Sequence, residues 1–208
     1  AIVATAALAH DIGNPPFGHS GEKAIGEYFL NGPGQQFKDQ INDEKKWNDF
    51  VKFEGNANGF RTVVNTNTGD EGGLRLTYAV LAAFTKYPKE SAPKYGEPKR
   101  ASEKKFGFFQ CEREHFKDIA TSVNLRKFRE DEHYSWARHP LAFIVEAADD
   151  ICYSIIDFED GLRLGLIPES KAKELLVPII GESFNDKKYE GLASFNEKIS
   201  YLRSVAIG

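Results

Sequence analysis

The chain has 208 residues, a hydrophobic fraction of 41% and a formal net charge of −4 at pH 7. These values are typical of a folded globular protein and exclude a disordered chain. The length suits one sizeable domain over residues 1–208. Because the net charge is negative, a general attraction to nucleic acid or an acidic membrane is excluded, and an anionic ligand needs a local basic patch or a metal.

Cysteine content and hydropathy predict a cytoplasmic protein. Cys111 and Cys152 are too few for a disulfide framework. No apolar run reaches the ~20 residues of a membrane span, and the first residues lack the basic region of a signal peptide. The chain opens in one helical pattern at Ala1 and ends in another at Gly208, which predicts a fragment truncated at both ends.

The apolar periodicity predicts an all-α fold, a helical bundle with irregular loops and at most a short β-hairpin. A buried helix over residues 2–9 runs into His10 and Asp11, and a proline-rich loop then leads to a helix whose N-terminus presents His19 and Glu22. A polar helical pattern over 37–64 is interrupted by EGNANG, which predicts a kink or junction. Further helices are predicted at 78–84, 112–129, 140–164, 170–180 and 192–205, with any strand near 106–110.

Residues 89–105 lack periodicity and form a predicted basic loop. The charged residues in and beside it are Lys86, Lys89, Lys94, Lys99, Arg100, Lys104 and Lys105 against Glu90, Glu97 and Glu103. This excess of positive charge is the local patch that an anionic ligand requires. A solvated charge run is the alternative interpretation.

The segment EAADDICYSIIDFED places carboxylates in an otherwise apolar helix, where burial demands compensation. Asp149, Tyr153 and Asp157 recur every four residues and therefore share one helical stripe. Glu146 and Asp150 repel each other at the same spacing, and the relief is a divalent metal, an arginine or both. The alternative is a buried ion-pair network with Arg138 or Arg163.

The pair His10-Asp11 is a weak signal alone, but it gains weight beside these carboxylates. Imidazole and carboxylate ligands together suit Mn, Fe, Co or Mg bound to a phosphate substrate. Such an ion polarises a phosphoryl oxygen and activates water, while a separate histidine serves as general acid or base. Phosphate cleavage is the chemistry that this combination predicts.

Five motifs in order over residues 1 to 165 carry a family resemblance: HDIGNPPFGHSGE, FEGNANGFR, LTYAVLAAFTKYP, KKFGFFQCE and RHPLAFIVEAADDICYSIIDFEDG. Together they resemble the bacterial dGTPase family of the HD superfamily. The resemblance implies a metal-dependent enzyme that hydrolyses dGTP or several dNTPs to deoxynucleoside and inorganic triphosphate. It implies Mn or Mg as cofactor, with Fe, Co or Ni as alternatives. It also implies a homo-oligomer, a tetramer or hexamer, with an allosteric dNTP or single-stranded DNA as further partners and no membrane.

The same resemblance implies roles for individual residues. It makes His10, Asp11 and Asp149 metal ligands, with Asp150 the second choice and a first histidine ligand upstream of Ala1. His19 and Glu22 become the catalytic pair, and Asn56 lies near the α-phosphate; helix capping and an ordinary turn are the alternatives. The substrate-binding residues implied are Lys86, Tyr87 and Lys105 for the triphosphate, Tyr153 for the deoxyribose and Asp157 for the 3′-hydroxyl.

Two other classes of function compete with this interpretation. Another HD phosphohydrolase, a nucleotidase or phosphodiesterase, would share the metal ligands but should lack the KYP and Tyr-x-x-x-Asp features. A non-catalytic dNTP sensor or single-strand nucleic-acid-binding protein would keep the fold alone. The presence of His19 and Glu22 argues against this second class.

Overall fold

The computed structural model describes residues 1–65, 73–91, 100–128 and 133–208. Within these ranges the regular structure is helical and contains no β-strand, which confirms the all-α prediction. The α-helices are α1 (Ile2–Ala9), α2 (His19–Leu30), α3 (Lys38–Ile41), α4 (Glu44–Val51), α5 (Gly55–Val64), α6 (Tyr78–Phe84), α7 (Arg113–Ser122), α8 (Pro140–Arg163), α9 (Ser170–Ile180), α10 (Asp186–Glu190) and α11 (Phe195–Ile207). Isolated β-bridges join Lys89 to Ser135, Glu90 to Phe108 and Lys127 to Trp136.

The chain divides into two compact units, Ala1–Glu146 and Ala147–Gly208. Each unit has its own apolar cluster. Helix α8 begins in the first unit and continues into the second. The single domain expected from chain length stays a prediction.

Aromatic side chains form the centre of the first unit. Phe60, Phe108 and Phe116 are fully buried, and the rings of Phe108 and Phe116 stack with their centroids 4.5 Å apart. Trp136 closes this cluster, with its ring centroid 5.4 Å from that of Phe116. Helix α1 adds Ala6 and packs against α6. This packing places the C-terminal end of α1, where His10 and Asp11 lie, beside α5.

Glycine allows the loop after α1 to lie directly on the backbone of α5. A Cβ on Gly13 would overlap the backbone nitrogen of Gly59 and the backbone oxygen of Gly55. Asn58 fixes the same contact, because its Nδ2 donates to the Gly13 carbonyl over 2.9 Å. The kink or junction predicted at EGNANG is a helix junction: α4 ends at Val51, and EGNANG begins α5 with Glu54 at the N-cap.

Several expectations about burial and helix bounds were wrong. Leu8 in α1 is 91% exposed, so this helix is buried on one side only. The carboxylates of Asp150 and Asp157 are exposed, together with Phe143 and other apolar residues of α8. Helix α7 ends at Ser122 rather than near residue 129, and the short charged helix α10 was not predicted.

The second unit is built from the end of α8 with α9, α10 and α11. Leu162, Ile199 and Leu202 are central to its apolar cluster. The carboxylate of Glu159 is buried here and pairs with Arg163 at 2.7 Å and Arg203 at 3.3 Å. These ion pairs offset the cost of removing the charge from water. In the part of the chain that the structure describes, no helix combines the length and apolar character needed to cross a membrane.

Candidate active site

The end of α1 presents an imidazole and a carboxylate side by side. His10 Nδ1 lies 2.7 Å from the carbonyl oxygen of Ala7, which accepts a hydrogen bond only if Nδ1 carries the proton. The Nε2 lone pair then faces Asp11, whose Oδ2 is 3.3 Å away. Asn14 orients this carboxylate by donating to Oδ1 over 2.8 Å. A cation shared by His10 and Asp11 satisfies both groups, so the pair fits a divalent metal.

The described residues form no group of three or more His, Cys, Asp or Glu side chains that could hold a metal ion. Asp149, the further ligand implied by the family resemblance, belongs to the second compact unit, whereas His10 and Asp11 belong to the first. Its role as a ligand stays a prediction. So do the roles of Tyr153 and Asp157, which are exposed on α8 in that second unit.

His19 and Glu22 occupy the first turn of α2, as the sequence predicted. The helix has no side-chain cap, because its N-cap residue is Gly18 with φ of 53°. Glu22 Oε1 instead accepts a hydrogen bond from the backbone N–H of Gly55 over 2.8 Å. Glu22 therefore joins the start of α2 to the start of α5, and His19 does not act as a helix cap.

Lys105 brings the predicted catalytic residues into one cluster. Its Nζ lies 3.3 Å from His19 Nε2, 3.8 Å from Glu22 Oε2 and 3.0 Å from Glu54 Oε1. The same Glu54 oxygen accepts a hydrogen bond from Asn56 Nδ2 over 2.8 Å. Lys105 thus contacts His19 and Glu22 directly, and Glu54 links Lys105 to Asn56.

A cavity of about 370 Å³ lies beside this cluster in the first unit. Its charged lining comprises five lysines against three glutamates, with His19 on the wall: Lys23, Lys52, Lys89, Lys104 and Lys105, and Glu22, Glu27 and Glu54. The excess of cations favours an anionic ligand. The cavity takes Lys89, Lys104 and Lys105 from the predicted basic loop, whereas Lys94 and Lys99 lie outside the described residues.

Lys86 and Tyr87 lie in a different polar group from Lys105. Lys86 Nζ is 3.2 Å from Glu146 Oε1, and Arg138 binds the other oxygen of that carboxylate at 2.6 Å. Arg138 also donates to the Lys86 carbonyl over 2.7 Å, and its guanidinium lies 5.7 Å from the centre of the Tyr87 ring. The ion pair between Arg138 and Glu146 is the compensation that was weighed as an alternative to a metal. The triphosphate-binding roles of Lys86 and Tyr87 stay predictions.

Sequence reasoning missed Glu54 as a member of the site. The residue stands immediately before the glycine-asparagine segment, and it is only 6% exposed. A glutamate beside Phe53 at the start of a helix was a usable signal, since a carboxylate near apolar residues needs a partner. Its partner, Lys105, is 51 residues away in sequence and could not be read from the local pattern.

Asp49 on α4 binds Ser91 and Gln110, which stand before and after Lys105 in the chain. Its carboxylate accepts hydrogen bonds from the Ser91 hydroxyl and, over 3.0 Å, from the backbone N–H of Gln110. Burial raises the pKa of Asp49 to about 7; the two hydrogen bonds and Arg61 oppose this rise, and the nearby Glu112 adds to it.

We expect the raised pKa of Asp49 to make stability depend on pH between about 4 and 7. The folded chain binds this proton more tightly than the unfolded chain, so the free energy of unfolding falls as pH rises through this window. The loss is up to about 4 kcal/mol. Asp49→Asn should remove it and be more stable than the wild type at pH 8, as measured by urea unfolding at pH 5 and pH 8. The exposed Asp39→Asn is the control, and equal pH slopes for Asp49→Asn and wild type would contradict the assignment.

The helical fold, the His-Asp pair and the cavity with His19 define an all-α protein of the HD type. No protein-family model matches the chain. A deoxyguanosinetriphosphate triphosphohydrolase-like protein of Pseudomonas aeruginosa is 42% identical over 210 residues, which cover 99% of this chain and 46% of the relative. One from Synechocystis is 43% identical over 216 residues, covering 99% of this chain and 47% of the relative.

A deoxyguanosinetriphosphate triphosphohydrolase of Yersinia enterocolitica is 35% identical over 207 residues, covering 88% of this chain and 38% of the relative. The chain thus spans less than half the length of these curated relatives. It belongs to the deoxyguanosinetriphosphate triphosphohydrolase family, which confirms the resemblance carried by its motifs.

Proposed function

We propose that this chain carries the catalytic centre of a metal-dependent dNTP triphosphohydrolase. The observation that carries the proposal is the cluster of His19, Glu22, Asn56 and Lys105 at a lysine-rich cavity, in a chain of this family. Family membership suggests the substrate class, and the cavity has the charge and the proton-transferring group that cleavage of a polyphosphate ester requires.

The reaction breaks the bond between the α-phosphorus and the 5′-oxygen of the dNTP. Water supplies an oxygen to phosphorus, His19 delivers a proton to the departing 5′-oxygen, and Glu22 orients His19. The lysines neutralise the triphosphate, which leaves whole. A divalent ion held by His10 and Asp11, with Asp149 as the predicted further ligand, would polarise a phosphoryl oxygen and make water more acidic.

The proposal also includes a cofactor, an assembly and a further partner. They are Mn or Mg as the metal, a cytoplasmic homo-oligomer, and an allosteric dNTP or single-stranded DNA as partner. Tyr153 and Asp157 are proposed to contact the deoxyribose and its 3′-hydroxyl.

We expect the intact protein, supplied with Mn or Mg, to release tripolyphosphate and deoxynucleoside in equal amounts from one or more dNTPs. Each of the four dNTPs is tested alone and in a mixture, with products separated by ion-exchange chromatography and a chelator as control. Pyrophosphate or orthophosphate as product would indicate another HD phosphohydrolase. No product from the mixture would indicate a non-catalytic dNTP-binding protein.

A further inference from the structure

The N-cap position of Glu54 on α5 does not explain why its carboxylate is buried. Its Oε1 lies 3.5 Å from the backbone nitrogen of Asn56, which is long for a capping hydrogen bond. The preceding N–H, on Gly55, is already bound by Glu22. Because a buried carboxylate is unfavourable without a partner, the side-chain partners of Glu54 must account for its burial.

Both of those partners are predicted site residues, and both bind the same oxygen. Asn56 Nδ2 donates to Oε1 over 2.8 Å, and Lys105 Nζ donates to it over 3.0 Å. Lys105 then reaches His19 Nε2 at 3.3 Å. One buried carboxylate therefore links an amide on α5, an ammonium from a distant segment and the imidazole at the start of α2.

We infer that Glu54 is a positioning residue, which acts by holding the Lys105 ammonium toward His19 and by fixing the Asn56 amide on the same carboxylate oxygen. This inference deepens the proposed function and rests on it. A free lysine side chain samples many rotamers, so an ammonium that is fixed before substrate binds need not lose that freedom during the reaction. Fixed charges directed at the reacting centre are a large source of rate enhancement.

We expect Glu54→Gln to change kcat and KM differently. Glutamine keeps the size of the side chain and an amide oxygen for Asn56, but it removes the charge that holds Lys105. We expect kcat to fall about tenfold, because Lys105 loses its fixed orientation. KM should not rise, since the substitution removes a negative charge from a site that binds a polyanion.

Glu44→Gln is the control for the loss of one negative charge in the same unit. Glu44 is exposed in the first turn of α4 and lies outside the cavity lining. The substitution removes one negative charge without removing the partner of Lys105, so kcat should stay within about twofold of wild type. In a Lys105→Met background, Glu54→Gln should likewise change kcat less than about twofold, because the group it positions is absent.

A second measurement does not depend on turnover. Limited acylation of the intact protein with acetic anhydride, followed by peptide mass spectrometry, reports how readily the Lys105 amine reacts. Glu54→Gln should accelerate labelling of Lys105 severalfold, and Glu44→Gln should not. Glu54→Asp, which keeps the charge but withdraws it by one methylene, is a second variant with the same expected loss of kcat if Glu54→Gln does not fold.

The outcomes separate this inference from the proposed function. An active wild type with unchanged kcat in both Glu54 variants, or with an equal loss in Glu44→Gln, overturns the positioning role. Absence of tripolyphosphate from the wild type overturns the proposed function instead. In that case the labelling comparison alone decides, and unchanged Lys105 labelling in Glu54→Gln shows that Glu54 does not hold the lysine.

Discussion

Replacing His19 with alanine is expected to lower kcat by about a thousandfold, the range of a lost general acid or base. His19 lies on the cavity wall at the start of α2, with Lys105 at 3.3 Å and Glu22 three residues further along the same turn. In the proposed reaction, removal of the imidazole leaves the departing 5′-oxygen without its proton donor. The predicted metal ligands are elsewhere, so the Mn content of purified His19→Ala should equal that of wild type.

His19→Gln separates proton transfer from the contact with Lys105. A glutamine keeps a polar group near the ammonium, but it cannot transfer a proton, so turnover should fall as far as in His19→Ala. Product release is measured by ion-exchange chromatography, metal content by inductively coupled plasma mass spectrometry, and folding by thermal unfolding. If the alanine variant lost its metal together with its activity, His19 would be a ligand and the catalytic assignment would be wrong.

Gly13→Ala is expected to destabilise the folded chain strongly. The new Cβ would overlap backbone atoms of Gly55 and Gly59, and neither atom can rotate away. Overpacking a rigid contact usually costs about 1–3 kcal/mol, and backbone neighbours put this case at or above the upper end. The loop holding His10 and Asp11 would move off α5, so turnover should fall together with stability.

Gly59, on the opposite side of the same contact, supplies the control. A Cβ on Gly59 would lie 3.0 Å from Cζ of Phe84, a ring that can shift, and 3.5 Å from the Gly13 nitrogen. Gly59→Ala should therefore cost less, about 1 kcal/mol. Urea unfolding of both variants at one pH makes the comparison, and an equal loss of stability in the two would contradict the packing argument.

Local sequence determined the helices and the chemical class of the site residues. The bounds 78–84 and 170–180 agree with α6 and α9, because apolar periodicity and helix-start signals are properties of neighbouring residues. Thr77 illustrates this, since its hydroxyl accepts from the N–H of Val80 only three residues away. The motifs around His10 and His19 likewise identified the family that the relatives confirm.

Only the tertiary structure decided which charged groups meet. Glu54 and Lys105 are 51 residues apart, Lys86 and Arg138 are 52 apart, and Gln110 lies 61 residues beyond Asp49. Helical periodicity reports which face of a segment is apolar, but it carries no information on what packs against that face. The different ion-pair partners of Lys86 and Lys105 and the raised pKa of Asp49 arise from such distant contacts. Burial and ion pairing are properties of the assembled chain, and for that reason sequence pattern alone did not predict them.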